Sequence, residues 1–252
     1  MTDVIRLDGT AYERGRAQAT LVPEGGDAVR AAVRDRIAAN ADLLGDRRFA
    51  AYLDEQDAYL AEHDPDGRSE YCGIADGYGI PPRHLLAFLH MAVLRDVAAG
   101  EGCSAFAYSA PGLGAVVGKN RDLTGAWQQP LQRVFRHSDP AWNGRYGLFV
   151  GSLGAPGAYS SGINSDGLAL VDTQVAARDH GVGLLRYFVM TRLLARCTSV
   201  AEALAEIGRL THAGGGNLVL ADRSGAVAAV ELGHARRAAV QMAKGAVART
   251  NH

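Results

Sequence analysis

The chain has 252 residues, 48% of them hydrophobic, with 26 basic against 27 acidic side chains and a formal net charge of −1. That supports one large domain or two small ones. No block of like charge stands out, which argues against a nucleic-acid partner, and no apolar run approaches the ~20 residues of a membrane span. The opening, MTDVIRLDGT, has acidic residues and no apolar core, so it does not read as a signal peptide. Cys72, Cys103 and Cys197 are odd in number and far apart, which fits neither a disulfide framework nor a zinc site. A cytoplasmic setting with reduced thiols is expected.

Thr10 to Ala99 reads as helical. Ala28–Leu44, Arg47–His63 and Pro82–Ala98 carry apolar residues at helical spacing among strong helix formers, and Pro81 and Pro82 suit a helix start. Gly73–Ile80 (GIADGYGI) reads as a glycine-rich connector. The period changes after Cys103. Ser104–Ser109, Gly114–Asn120, Gln132–His137 and Tyr146–Ser152 read as strands. Tyr159–Ile163 and Leu168–Val171 flank Asn164-Ser165-Asp166-Gly167, whose Asn and Gly favour a hairpin turn. Two helices follow, Gly183–Arg196 and Ser199–Leu210, the second opening on an S-x-x-E capping box from Ser199 to Glu202. Strands resume at Leu218–Ala221, Val227–Glu231, Ala238–Met242 and Ala246–Thr250, with a turn at Asp222–Gly225. Ala98–Cys103 (AAGEGC) marks the one break in composition. It divides a helical segment, 1–102, from a sheet-rich segment, 103–252. The order suits an α+β protein of packed sheets with helices outside.

Gly102-Cys103 lies at that break. A cysteine that becomes the first residue of a strand by scission of the preceding peptide carries both a thiol and a new α-amine. Their reference pKa values, about 8.5 and about 7.7–8.0, are close enough for the amine to take the thiol proton. The glycine leaves the carbonyl before it open to attack. A small buried apolar side chain is the plain alternative for Cys103. Among the eight histidines no metal spacing is seen, and Gly214–Gly216 lacks the Lys-Ser/Thr of a phosphate loop, so no metal or other cofactor is expected.

Five stretches together resemble the acyl-coenzyme A:6-aminopenicillanic acid acyltransferase family of the Ntn-hydrolase superfamily. They are Gly9–Gln18 (GTAYERGRAQ), Gly73–Ile80, Gly102–Asp122 (GCSAFAYSAPGLGAVVGKNRD), Gly162–Leu168 (GINSDGL) and Asn251-His252. The resemblance implies a four-layer αββα fold and autoproteolysis between Gly102 and Cys103. It implies cleavage or transfer of acyl groups on small-molecule amides or thioesters, with bile salt hydrolases and acid ceramidase as more distant relatives. It assigns Asp122 to the amino group of the nucleophile, Asn164 to the oxyanion and Asn251 to a later strand facing the nucleophile. Each has an ordinary reading beside it: a turn former after a strand, a good local turn, and a strand-end residue. Lys119 stands where bile salt hydrolases place an arginine, and Lys119 and Arg121 are candidates for substrate binding. Arg121 otherwise reads as a solvated edge charge.

The familiar family members are longer, which implies a C-terminal partner segment or a homo-oligomer. Two further readings compete. One is an uncleaved, non-catalytic relative serving as a binding or scaffold subunit. The other is a cysteine hydrolase with a separate base, His137 or His212.

Overall fold

The computed structural model describes residues 3–94, 102–112, 114–122, 129–175 and 178–251. The boundary expected at 98–103 therefore falls mostly outside the described residues, as does His252. A short strand, β1 (Val4–Asp8), precedes six helices: α1 (Ala11–Leu21), α2 (Gly26–Ala39), α3 (Ala41–Gly45), α4 (Arg47–His63), α5 (Pro65–Tyr78) and α6 (Pro82–Leu94). Strands β2 (Cys103–Ala110), β3 (Gly114–Arg121), β4 (Gln132–Ser138), β5 (Tyr146–Ser152), β6 (Ser161–Asn164) and β7 (Ala169–Gln174) follow. After them come α7 (Arg186–Arg196), α8 (Val200–Arg209), β8 (Gly216–Ala221), β9 (Val227–Leu232), β10 (Arg237–Met242) and β11 (Gly245–Arg249).

Eight strands form one sheet in the order β1-β4-β5-β6-β7-β8-β9-β10, and three form another in the order β11-β2-β3. Alternation along β8 and β9 shows how the layers stack. Leu218, Leu220, Ala228 and Val230 point to the helices, while Val219, Ala221, Val227 and Ala229 meet Ala105, Ala107 and Val247 of the smaller sheet. Residues that alternate faces, with both faces covered, read as a continuous apolar run. The α+β class expected from the sequence is what the structure shows. The described residues form three layers: helices, the large sheet and the small sheet. On the outer face of the small sheet Phe106, Tyr108 and Val116 are exposed, and so are Leu148, Val150 and Ile163 where the large sheet extends beyond β3. No helix among the described residues is long and apolar enough to cross a membrane.

The segment 73–80 corrects the sequence expectation. It is not a connector: α5 runs through it to Tyr78, and Gly79 closes the helix at φ 65°. The glycines serve a helix crossing. A Cβ on Gly73 would stand 2.2 Å from the Tyr12 carbonyl oxygen, and one on Gly15 would stand 2.2 Å from that of Glu70. The backbones of α1 and α5 touch, which is why glycine recurs in both helices.

The expected hairpin is present. The Leu168 N–H donates to Asn164 Oδ1 at 3.0 Å, the Gly167 N–H donates to the Asn164 carbonyl at 3.0 Å, and Gly167 has φ 93°. β6 pairs with β7 from Ser161↔Val171 to Ile163↔Ala169. The Asp172 N–H still donates to the Ser160 carbonyl at 3.2 Å, and Thr173 and Gln174 continue beside Asn217 and Gly216 of β8.

Candidate active site

Cys103 begins β2, the middle strand of the small sheet, and pairs across it with Arg121 of β3. Ala105 pairs with Lys119. Both pairs share the face turned toward the large sheet, because side chains two apart on a strand point the same way.

The backbone after β11 is pinned beside Cys103. Thr173 Oγ1 and Asn217 Nδ2 each donate to the Thr250 carbonyl at 2.9 Å, and Asn217 Nδ2 also donates to Thr173 Oγ1 at 2.9 Å. Asn251 is thereby fixed with its amide between two partners. Its Nδ2 donates to the Gln174 carbonyl at 2.5 Å, and its Oδ1 accepts the N–H of Cys103. The structure thus joins two of the expected residues, 148 positions apart.

Gly102 and Asp122 lie on the other side of Cys103. The Asp122 N–H donates to the Gly102 carbonyl at 2.8 Å. The Asp122 carboxylate accepts from Asn120 Nδ2 at 2.9 Å and rests against the Gly102 α-carbon, where an added Cβ would come within 2.5 Å of Oδ2. Three expected residues, Cys103, Asp122 and Asn251, therefore converge on the Gly102-Cys103 peptide.

Asn164 is not in this cluster. Its side chain is buried, Nδ2 donates to the carbonyls of Leu194 at 3.0 Å and Cys197 at 2.7 Å, and Oδ1 serves the hairpin. Both amide hydrogens are committed to the end of α7. The described arrangement gives Asn164 a structural task and leaves no donor for an oxyanion.

Arg121 is not at a solvated edge. It is half-buried, with its guanidinium carbon 5.5 Å from the ring centre of Tyr159. Lys119 reaches across to β7, where its ammonium meets the Asp172 carboxylate. Arg186, the first residue of α7, meets the same carboxylate from the helix side. Its Nη2 donates to Gln174 Oε1 at 3.4 Å. Burial pushes the Asp172 carboxyl up, but Lys119 and Arg186 outweigh it and hold the group below the usual carboxylate range.

Sequence reasoning missed Asp172, Gln174 and Arg186. Asp172 carries a readable signal, a carboxylate inside the apolar run LALVDTQV, since a charge in such a strand is seldom buried without a partner. Arg186 carries none.

The other candidate nucleophiles and bases lie elsewhere. Burial pushes the Cys197 thiol up to about 11 and raises that of Cys72. His137 is fully buried below α5, 3.9 Å from Glu70, and His212 Nε2 lies 3.1 Å from the Ile207 carbonyl. Burial lowers the pKa of both. Neither has a contact with Cys103, so the reading with His137 or His212 as the base finds no support. No group of His, Cys, Asp and Glu among the described residues could hold a metal ion.

Fold and site together define a layered α+β protein with a cysteine at the head of the middle strand of its smaller sheet and amide and carboxylate groups around that cysteine's amide. Residues 110–252, more than half of the chain, match the family model of acyl-coenzyme A:6-aminopenicillanic acid acyl-transferase, and the chain belongs to that family. The match includes Asp122, Asn164 and Asn251 and begins at Ala110, the last residue of β2, so Cys103 lies outside it.

Among solved structures, the chain is similar to a mutant of the conjugated bile acid hydrolase from Clostridium perfringens. Identity is 13% and the TM-score 0.42, over 57% of this chain and 52% of that one. It is also similar to penicillin V acylase from Agrobacterium tumefaciens, at 15% identity and a TM-score of 0.28, over 57% and 42% of the two chains. The chain thus matches about half the length of these structures. No curated protein matches it.

Proposed function

We propose that this chain is an autoproteolytically activated N-terminal-cysteine amidohydrolase or acyltransferase acting on small-molecule amides or thioesters. One observation carries the reading. The Cys103 N–H is held by Asn251 Oδ1 while the Gly102 carbonyl is held by the Asp122 N–H, so both ends of the peptide to be cut are fixed. In self-cleavage, Cys103 Sγ adds to the Gly102 carbonyl carbon, and the Asp122 N–H donates to the oxyanion that forms. The Gly102–Cys103 C–N bond then breaks. The proton lost by the thiol ends on the departing nitrogen, and a Gly102–Cys103 thioester remains. Water hydrolyses it, leaving a Gly102 carboxylate and a free thiol. Preorganised donors of this kind are among the larger catalytic terms.

The new α-amine stays beside Asn251 Oδ1, and the Asp122 carboxylate supports its charged form. The amine takes the thiol proton, Sγ attacks the substrate acyl carbon, and the protonated amine returns the proton to the leaving group. Water completes hydrolysis; a second amine completes transfer. The cut separates segments 1–102 and 103–252, which stay together because β1 pairs with β4 along five residue pairs and α1–α6 cover the large sheet.

Intact-mass measurement with N-terminal sequencing tests the proposal. We expect two fragments, the second beginning Cys-Ser-Ala-Phe, and a single uncut chain for Cys103→Ala. Turnover by an unbroken chain, or by Cys103→Ala, would sink it.

A further inference from the structure

Beside the nucleophile lies a charge arrangement that the proposed chemistry does not use. Lys119 from the small sheet and Arg186 from α7 share one carboxylate, Asp172 of β7. All three side chains are at least nine-tenths buried. Two cations against one anion leave an excess positive charge. Arg186 Nη1 is also buried and has no hydrogen-bond partner among the described residues. A buried guanidinium nitrogen without an acceptor is costly, because its desolvation is not returned.

The cluster is wired to the reaction centre. Gln174 Oε1 accepts from Arg186 Nη2, and the Gln174 carbonyl accepts from Asn251 Nδ2, whose Oδ1 takes the Cys103 N–H. From the other side, the Ala105↔Lys119 pair lies one step along the inner face from Cys103↔Arg121. An acceptor that satisfied Arg186 would therefore sit within a small molecule's length of the thiol.

The geometry points to Arg186 as a specificity-determining residue: its free Nη1, with Lys119 as the second cation, recognises a monoanionic carboxylate on the substrate amide. This rests on Cys103 being the nucleophile. A carboxylate fits the single excess charge and the planar donor geometry of a guanidinium.

Titration calorimetry on the full wild-type chain tests it with two matched pairs, N-acetylglycine against N-acetylglycinamide and succinamate against succinamide. These place the carboxylate on the amine side or the acyl side of the amide. We expect one anion to bind about tenfold or more tighter than its neutral partner, the scale of a hydrogen bond to a charged group. Arg186→Gln should abolish that preference and Arg186→Lys should retain part of it. Arg186→Gln alone leaves Asp172 short of a partner, so the double variant Asp172→Asn/Arg186→Gln, which removes both charges, is the companion that keeps the fold. Equal binding of anion and neutral amide, no binding of either anion, or a preference that survives in the folded double variant would overturn the assignment. The mass measurement on Cys103 uses none of these probes, so the two readings fail separately.

Discussion

Gly73→Ala puts the packing of α1 on α5 to a quantitative test. Alanine is the better helix former by about 1 kcal/mol, so local propensity alone would make the change stabilising. The crossing opposes it. The new methyl would lie 2.2 Å from the Tyr12 carbonyl oxygen and 3.0 Å from its carbonyl carbon, both backbone atoms that no side-chain rotation can move. The helices must part by about 1 Å to restore ordinary contact. Overpacking of this kind costs about 1–3 kcal/mol, and a backbone-to-backbone clash belongs at or above the upper end. The net loss should be about 2 kcal/mol, or about 4–8 °C in Tm for a chain of this size. Gly208→Ala is the matched control: it lies in α8, and nothing stands within 4 Å of its added Cβ. Propensity should win there, raising Tm by about 1–4 °C. Thermal unfolding followed by circular dichroism reads both. If Gly73→Ala melts at or above the wild-type temperature, the close crossing inferred for α1 and α5 is wrong.

Two further outcomes follow from the geometry. Asn164→Ala should remove about 2–4 kcal/mol of stability in denaturant titration, because two carbonyls and one N–H lose a buried partner. Its folded fraction should still release the Cys103 fragment at the wild-type rate; slowed release at unchanged stability would restore the oxyanion role. Asp64 supplies a pH test. Burial raises its carboxyl to about 6 against the pull of Arg192, 3.6 Å away. An acid whose folded pKa exceeds its unfolded value, about 3.9, favours folding while protonated, and that contribution is lost as pH rises from about 3.9 through 6. Asp64→Asn cannot ionise, and Arg192 keeps Glu206 at 2.7 Å. The variant should therefore gain up to about 2–3 kcal/mol over wild type above pH 6 relative to its difference near pH 4. A gap in Tm that does not widen between those pH values would refute the shift.

What the sequence determined by itself is local. The change from helical to strand spacing after Cys103, the Asn164–Gly167 turn, the Ser199 cap and the cysteine at a strand head each depend on a few neighbouring residues, and the structure has all of them. Tertiary structure decided the rest. The glycines of 73–80 look like a connector in isolation, because only the presence of α1 turns a missing side chain into a packing requirement. Asn164 suits an oxyanion or a turn equally well until α7 ends against it and takes both its hydrogens. Lys119 and Asp172 are 53 positions apart, and Asp172 and Arg186 are 14 apart on different elements. Their meeting required β7 to pack where both β3 and α7 can reach it. Strand register sets that, and register is a property of how whole sheets pair, which no short stretch of sequence contains.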